Sequence, residues 1–274
     1  MDHDGVLREF DRQMREGARA DGLPGVRVER AGAVVRAGGS EHDWHGVLWS
    51  APDLNEDAAD AAIATQIAHF RSLGREFEWK LYGHDRPVDL AARLLAAGFS
   101  AEPTEALMVA ETEALTADVE LPEGLRLLPV TDAAGVELMA RAQERAFGAD
   151  RTDLSARLKV QLAEAPDRVS AVVAMAGDTP VSAARMELPP GTEFAGLWGG
   201  GTVEEWRGKG LYRALVAYRA RIAAARGYRY LQVDATDMSR PVLQRLGFTV
   251  LSTTTPFTYR PQAPGSSGSP GARG

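Results

Sequence analysis

The sequence predicts an α/β chain made of two related halves, and three observations carry that reading. Apolar residues switch repeatedly between the two-residue period of strands and the 3.6-residue period of helices. An order of helix, Gly, strand, Arg-Pro, helix and Gly-Phe occurs twice, from Gly74 to Phe99 and again from Gly227 to Phe248. A basic glycine loop, Arg207-Gly208-Lys209-Gly210, opens the strongest helix of the second copy and has no counterpart in the first. Helix–Gly–strand–turn–helix is common in any α/β protein; the matched Arg-Pro and Gly-Phe pairs favour a duplication.

The elements follow in order. Val6, Phe10 and Met14 recur at intervals of four and predict an opening helix. Strands are expected at Gly25–Glu29, Ala33–Arg36 and Gly46–Ser50. Asn55 stands as an N-cap for a helix whose apolar stripe is Ala59, Ile63, Ile67 and Phe70, ending at Gly74. Phe77–Tyr82 alternates as a half-buried strand, Val88–Ala97 reads as a helix stopped by Gly98, and Ala106–Ala110 as a strand. The mixed polar stretch before Gly124 separates residues 1–112 from residues 125–260, with 113–124 as the connection.

The second half begins with a strand at Leu125–Val130. Thr131 or Asp132 can cap a helix to Phe147, and a second helix covers Asp153–Glu164. Val169–Ala176 and Val181–Leu188 form a hairpin about Gly177-Asp178-Thr179-Pro180. Phe194–Val203 is a strand rich in glycine. The helix after the loop sets Leu211, Ala214, Leu215, Tyr218, Ile222 and Ala225 on one face and Arg213, Arg219, Arg221 and Arg226 on the other. Then come a strand at Tyr228–Asp234, a short helix at Arg240–Leu246, a strand at Phe248–Thr253 and a last one at Pro256–Tyr259. Residues 261–274 are Gly, Ser and Pro with little to bury, so disorder is expected there.

Composition narrows the function classes. The 274 residues suit two domains or one large one. A formal charge of −7 makes nucleic acid and anionic membranes poor partners. Cysteine is absent, which removes disulfides, thiolate metal sites and a cysteine nucleophile. The start lacks a signal-peptide pattern, so a cytoplasmic location is expected. His42 and His45 could be two metal ligands, but no further ligands are evident and no metal is expected.

The loop is the feature that carries chemistry. A helix N-terminus leaves N–H groups unpaired and carries partial positive charge, so an anion placed there gains both. Glycines allow close approach, and Arg207, Lys209 and Arg213 add charge. It is neither a Walker loop nor the dinucleotide fingerprint. The matching segment of the first half, Asp53-Leu54-Asn55-Glu56-Asp57, has no glycine and three acids and would repel phosphate.

With its surrounding strands and helices, this pattern resembles the GNAT superfamily of N-acetyltransferases over roughly Leu125 to Tyr259. The family's pyrophosphate loop has the form Arg/Gln-x-x-Gly-x-Gly/Ala, and Arg207-Gly208-Lys209-Gly210-Leu211-Tyr212 fills it except that Tyr212 replaces the last small residue. The first half resembles a degenerate copy, as in tandem GNAT proteins. The resemblance implies a mixed, mostly antiparallel twisted sheet flanked by helices in each half.

It also implies a function: acetyl-CoA as co-substrate, with a primary amine of a small molecule or peptide attacking the thioester directly. The pantetheine arm would add to the glycine-rich strand at Thr202 and Val203, with an oxyanion donor near Val203. The N–H groups of Lys209, Gly210, Leu211, Tyr212 and Arg213 would hold the pyrophosphate beside Arg207 and Gly208, and Asp237 and Ser239 could contact pantetheine. The family's tyrosine acid falls on Leu243 here, so it is missing. Ser239 and Asp237 are the nearest polar substitutes, though both suit N-capping. Glu187, Glu193 and Asp234 are candidate bases, each of which could equally be a solvated strand-end carboxylate. The missing tyrosine also leaves room for a non-catalytic acyl-CoA-binding module. Acceptor identity and oligomeric state are not readable.

Overall fold

A computed structural model describes residues 1–20, 22–41, 43–117, 120–148 and 151–261. The first half runs α1 (His3–Phe10), which continues as a π-helical turn over Asp11–Glu16, then β1 (Arg27–Ala31), β2 (Val34–Gly38), β3 (Gly46–Ser50), α2 (Glu56–Ser72), β4 (Phe77–Tyr82), α3 (Leu90–Ala96), β5 (Ser100–Ala101) and β6 (Glu105–Glu111). The second half runs β7 (Leu125–Val130), α4 (Ala133–Phe147), α5 (Thr152–Glu164), β8 (Val169–Ala176), β9 (Thr179–Glu187), β10 (Phe194–Thr202), α6 (Leu211–Ala225), β11 (Tyr230–Ala235), α7 (Arg240–Arg245) and β12 (Thr249–Tyr259). The two strands expected at Phe248–Thr253 and Pro256–Tyr259 are one continuous strand. The tail expected to be disordered lies, apart from Pro261, outside the described residues, as does His42.

All strands join one twelve-stranded sheet in the order β1-β2-β3-β4-β12-β6-β11-β10-β9-β8-β7, with β5 beside β12. The two sides of the β12–β6 pair run alike, except that the second-half side has one strand more at its edge, β7. Moving outward, each side meets a parallel pair, β4 with β3 on one side and β11 with β10 on the other. The other pairings are antiparallel. Each half gives its last strand to the other: β6 pairs with β11 and β12 pairs with β4. The halves are therefore continuous through the sheet, and a boundary at residues 113–124 cuts the chain but not the hydrogen-bond ladder. The stretch expected as a connection also contributes Leu115, which is buried against α6 in a 3₁₀ turn over Thr112–Leu115.

Helix packing follows the apolar stripes. In the first half α2 and α3 press Ala59, Ile63, Phe70, Leu90 and Leu94 onto Val34, Val47, Phe77 and Trp79. In the second, α6 covers Leu197, Leu231 and Val233 with Val216, Ala220 and Ala223, while α4 and α5 cover the opposite face near β7 to β9. The opening helix spans the junction, setting Val6 and Phe10 on Tyr82, Leu107, Val109, Phe194 and Tyr230. One position departs from the sequence expectation. Arg219, assigned to the solvent face of α6, is only 1% exposed and donates to the carbonyls of Leu215 and Arg185. Burial without a carboxylate partner pulls its guanidinium down to about 10.

Candidate functional site

The glycine loop folds as its sequence requires. Gly208 and Gly210 have φ of 74° and 83°, a region that disfavours side chains, and a Cβ at either would meet nothing within 4 Å. Gly210 occupies the N-cap position of α6, and no side chain among the described residues caps it. The first N–H groups of α6 thus lack the side-chain acceptor that usually satisfies them. Arg207 donates to the carbonyls of Thr202 at 3.1 Å and Ala146 at 3.3 Å, which ties the loop to the end of β10 and to α4. Lys209 lies with its ammonium 4.5 Å from the Trp206 ring centroid.

Tyr212, the departure from the small residue of the motif, turns its ring away from the loop and packs on β10. A Cβ on Gly200 would stand 3.0 Å from that ring, so glycine there makes room for tyrosine. Burial pushes the Tyr212 phenol up. Beyond the loop, Arg213, Val216 and Ala217 of α6 face Val242 and Arg245 of α7 and the following Leu246 across a groove of about 520 Å³, floored in part by Leu115.

Strands β10 and β11 pair only from Phe194–Gly196 and Tyr230–Gln232, then separate. Past that point β10 is irregular against β9 between Trp198 and Gly201, where Gly199 has φ of 60°. The structure corrects one expected role here. Val203 already donates its N–H to the Val181 carbonyl at 3.0 Å, so it is not free for pantetheine or for an oxyanion. Strand alternation turns the Thr202 N–H the other way, away from β9, while its carbonyl accepts from Arg207 and its hydroxyl pairs with Ser182.

The candidate acids and bases separate. Asp234 is not a solvated strand end: its side chain is 3% exposed and forms an ion pair with Lys80 of the first half. Burial opposes the charge on Lys80, but Asp234 outweighs it and holds the ammonium above its ordinary range. Glu187 is held by Arg185 at 2.8 Å and lies opposite Gly196. Glu193 is engaged by Gln13 at the far start of β10. Ser239 occupies the N-cap position of α7 without capping it; its hydroxyl donates to the Thr236 carbonyl. Asp237 is exposed, 3.8 Å from Arg240, and caps nothing. Leu243, at the position of the missing acid, is fully buried in the α6 core. Lys80 escaped the sequence reading. The alternation of Phe77–Tyr82 gave its strand, but its partner lies 154 positions away. Of the two histidines weighed as metal ligands, His45 is buried against Phe70, and no group of three or more potential ligands stands together among the described residues.

The equivalent features of the first half are closed. Past its two parallel pairs, the Leu48 carbonyl of β3 accepts from Arg15 Nε at 3.1 Å. Arg15 is 3% exposed and also binds both oxygens of Asp85 and one of Asp11. At the start of α2, Asn55 accepts from the Ala58 N–H at 2.9 Å, so that helix caps itself. Between α2 and α3, Arg93 binds Glu56, Asp60 and Asp89.

Residues 136–248 match the family model described as Acetyltransferase (GNAT) family. The whole chain shares its fold with solved structures of low sequence identity. A GCN5-related N-acetyltransferase from Kribbella flavida is 19% identical, with 93% of each chain covered and a TM-score of 0.68. A tandem GNAT protein from the clavulanic acid biosynthesis pathway is 16% identical over 88% of this chain and 85% of its own, with a TM-score of 0.62. A GCN5-related N-acetyltransferase from Sphaerobacter thermophilus is 16% identical over 95% and 86%, with a TM-score of 0.59. No curated protein sequence matches the chain. Among the described residues, no helix is long and apolar enough to cross a membrane.

Proposed function

We propose that the second half binds acetyl-CoA and transfers its acetyl group to a primary amine of a small molecule or peptide. The single observation that carries this is the uncapped start of α6 behind two glycines of positive φ, opening beside the α6–α7 groove. The pyrophosphate would take the N–H groups from Lys209 to Arg213, with Arg213 adding charge. The pantetheine arm would follow Thr202 into the gap between β10 and β11. The amine nitrogen then attacks the thioester carbon; the C–N bond forms, the C–S bond breaks, and the amine's proton is passed on as the thiolate leaves.

Calorimetry with acetyl-CoA tests the cofactor claim, with one site per chain as the expected stoichiometry. Absence of binding at millimolar cofactor sinks it. Thiol release across an amine panel then tests transfer. Binding without release on any amine would select the acyl-CoA-binding module, the reading that buried Leu243 favours.

A further inference from the structure

The face of the sheet that carries Asp234 also carries residues of the first half. Gln232 and Asp234 share a face of β11 because strand side chains alternate. Register extends that face across the junction: Asp234 lies opposite Leu107, Glu105 opposite Thr254, and Thr254 opposite Tyr82. Lys80 is on the same face as Tyr82, and its ammonium reaches past β12 and β6 to Asp234 Oδ2.

Two polar atoms at this spot lack partners. Asp234 Oδ1 is buried and accepts no hydrogen bond from the described residues, and Trp198 Nε1 is buried and donates none. They belong to one cluster, since the Lys80 ammonium that binds Asp234 lies 5.4 Å from the Trp198 ring centroid. Gly196 makes the cluster possible: a Cβ there would stand 2.7 Å from both Trp198 Nε1 and Gln232 Nε2. A buried acceptor and a buried donor left without partners around one lysine are the kind of groups a ligand can complete.

The charge around them selects the ligand. Glu78 and Glu105 interact electrostatically with Lys80 and Asp234, and Glu102 with Glu78, so carboxylates outnumber the one ammonium. Burial pushes both glutamates up, and the charge of Asp234 adds to it. A substrate carboxylate would be repelled and an ammonium drawn in.

We propose that the acceptor of the acyltransferase reading, on which this rests, is a cationic amino alcohol or amino sugar seated between the halves. Its amine donates to Asp234 Oδ1, a neighbouring hydroxyl oxygen accepts from Trp198 Nε1, and Lys80 of the first half is a positioning residue that holds Asp234. The first half thus completes the acceptor site of the second.

Serinol and serine test the class, because they differ only by a hydroxymethyl group in place of a carboxylate. With saturating acetyl-CoA, serinol is expected to be the better acceptor by roughly tenfold or more in kcat/KM, the scale of one lost charge-assisted contact. Lys80→Met combined with Asp234→Leu removes both charges together and leaves no orphan behind. That double variant is expected to raise the serinol KM roughly ten- to hundred-fold with the acetyl-CoA KM unchanged. Lys80→Arg, which keeps the charge beside Asp234, should keep the native serinol KM. Trp198→Phe, which breaks no bond within the protein, should weaken serinol and spare isopropylamine, which lacks a hydroxyl. Serine matching serinol, or a double variant with the native serinol KM, overturns the proposal. Should acetyl-CoA fail to bind the native protein, the acyltransferase reading falls. Serinol binding is then read by calorimetry alone, and no heat at millimolar serinol overturns the pocket as well.

Discussion

The two halves share a strand order and differ in what lies between their parallel strands. In the second half β10 and β11 part beside a helix start that no side chain caps, and the α6–α7 groove stands open. In the first half the same three places are filled from within. Arg15 takes the strand carbonyl at Leu48, Asn55 caps α2, and Arg93 bridges α2 to α3. One fold can thus present backbone groups to a ligand or satisfy them internally. The choice is made by a handful of polar side chains and by glycines at two loop positions. Where no ligand takes such groups they must be paired from within, because buried backbone and charge cannot stay open without cost.

That contrast can be broken at either end. The largest effect is expected at Arg15→Met, which leaves Asp85, itself 5% exposed, buried without its partner. Chemical denaturation should show a loss of about 3–5 kcal/mol, the range for breaking a buried pair on one side. A loss under about 1 kcal/mol, the level of an exposed pair, would mean the first-half gap is not held shut by this arginine. Next is Gly210→Glu, which places a carboxylate where the phosphates would sit. Acetyl-CoA affinity should fall by roughly a hundredfold or more, with circular dichroism unchanged apart from about 1–2 kcal/mol of lost stability from the left-handed backbone. Unchanged affinity would displace the phosphate site from this loop.

The first-half network also has a pH signature. Burial alone would raise the Asp11 carboxyl, but hydrogen bonding from His84 and the charge of Arg15 outweigh it and hold it below its usual range. A lowered folded value means the contribution is present above the unfolded value, about 3.9, and fades as pH falls through the folded one. Asp11→Asn should therefore cost about 1–3 kcal/mol at neutral pH, and the gap to the native protein should close in urea melts below about pH 4. A gap that persists in acid would assign the loss to packing. The smallest effect belongs to Arg93→Ala. Its partners are largely exposed, so chemical denaturation should show the smallest loss of stability among these variants. The stoichiometry of acetyl-CoA should stay at one per chain, because Arg15 and Asn55 still close the other two places. A second site appearing in this variant would show that the clamp alone excludes cofactor.

Much of this is legible in the sequence. Periodicity placed β3, β4, β7 and β8 with their observed bounds, and Asn55 and Asp132 cap the helices they were expected to cap. The loop at Arg207–Gly210 was visible because glycine and charge at a helix start are local signals. The misreadings share a cause. Arg219 was put on the solvent side because an arginine in an amphipathic helix is usually solvated, yet it reaches two carbonyls under α6. Val203 was assigned to the cofactor because residue type says nothing about which neighbour its N–H meets.

The sequence by itself determined the elements, the two-fold repetition and the basic glycine loop that opens α6, since each depends on residues a few positions apart. The tertiary structure alone decided that β6 and β12 trade partners, that Arg15 fills one gap, and that Lys80 meets Asp234. These depend on strand pairing and on charges brought together from distant positions. A pattern of side chains along one strand fixes which face each residue takes, but not what stands across from it.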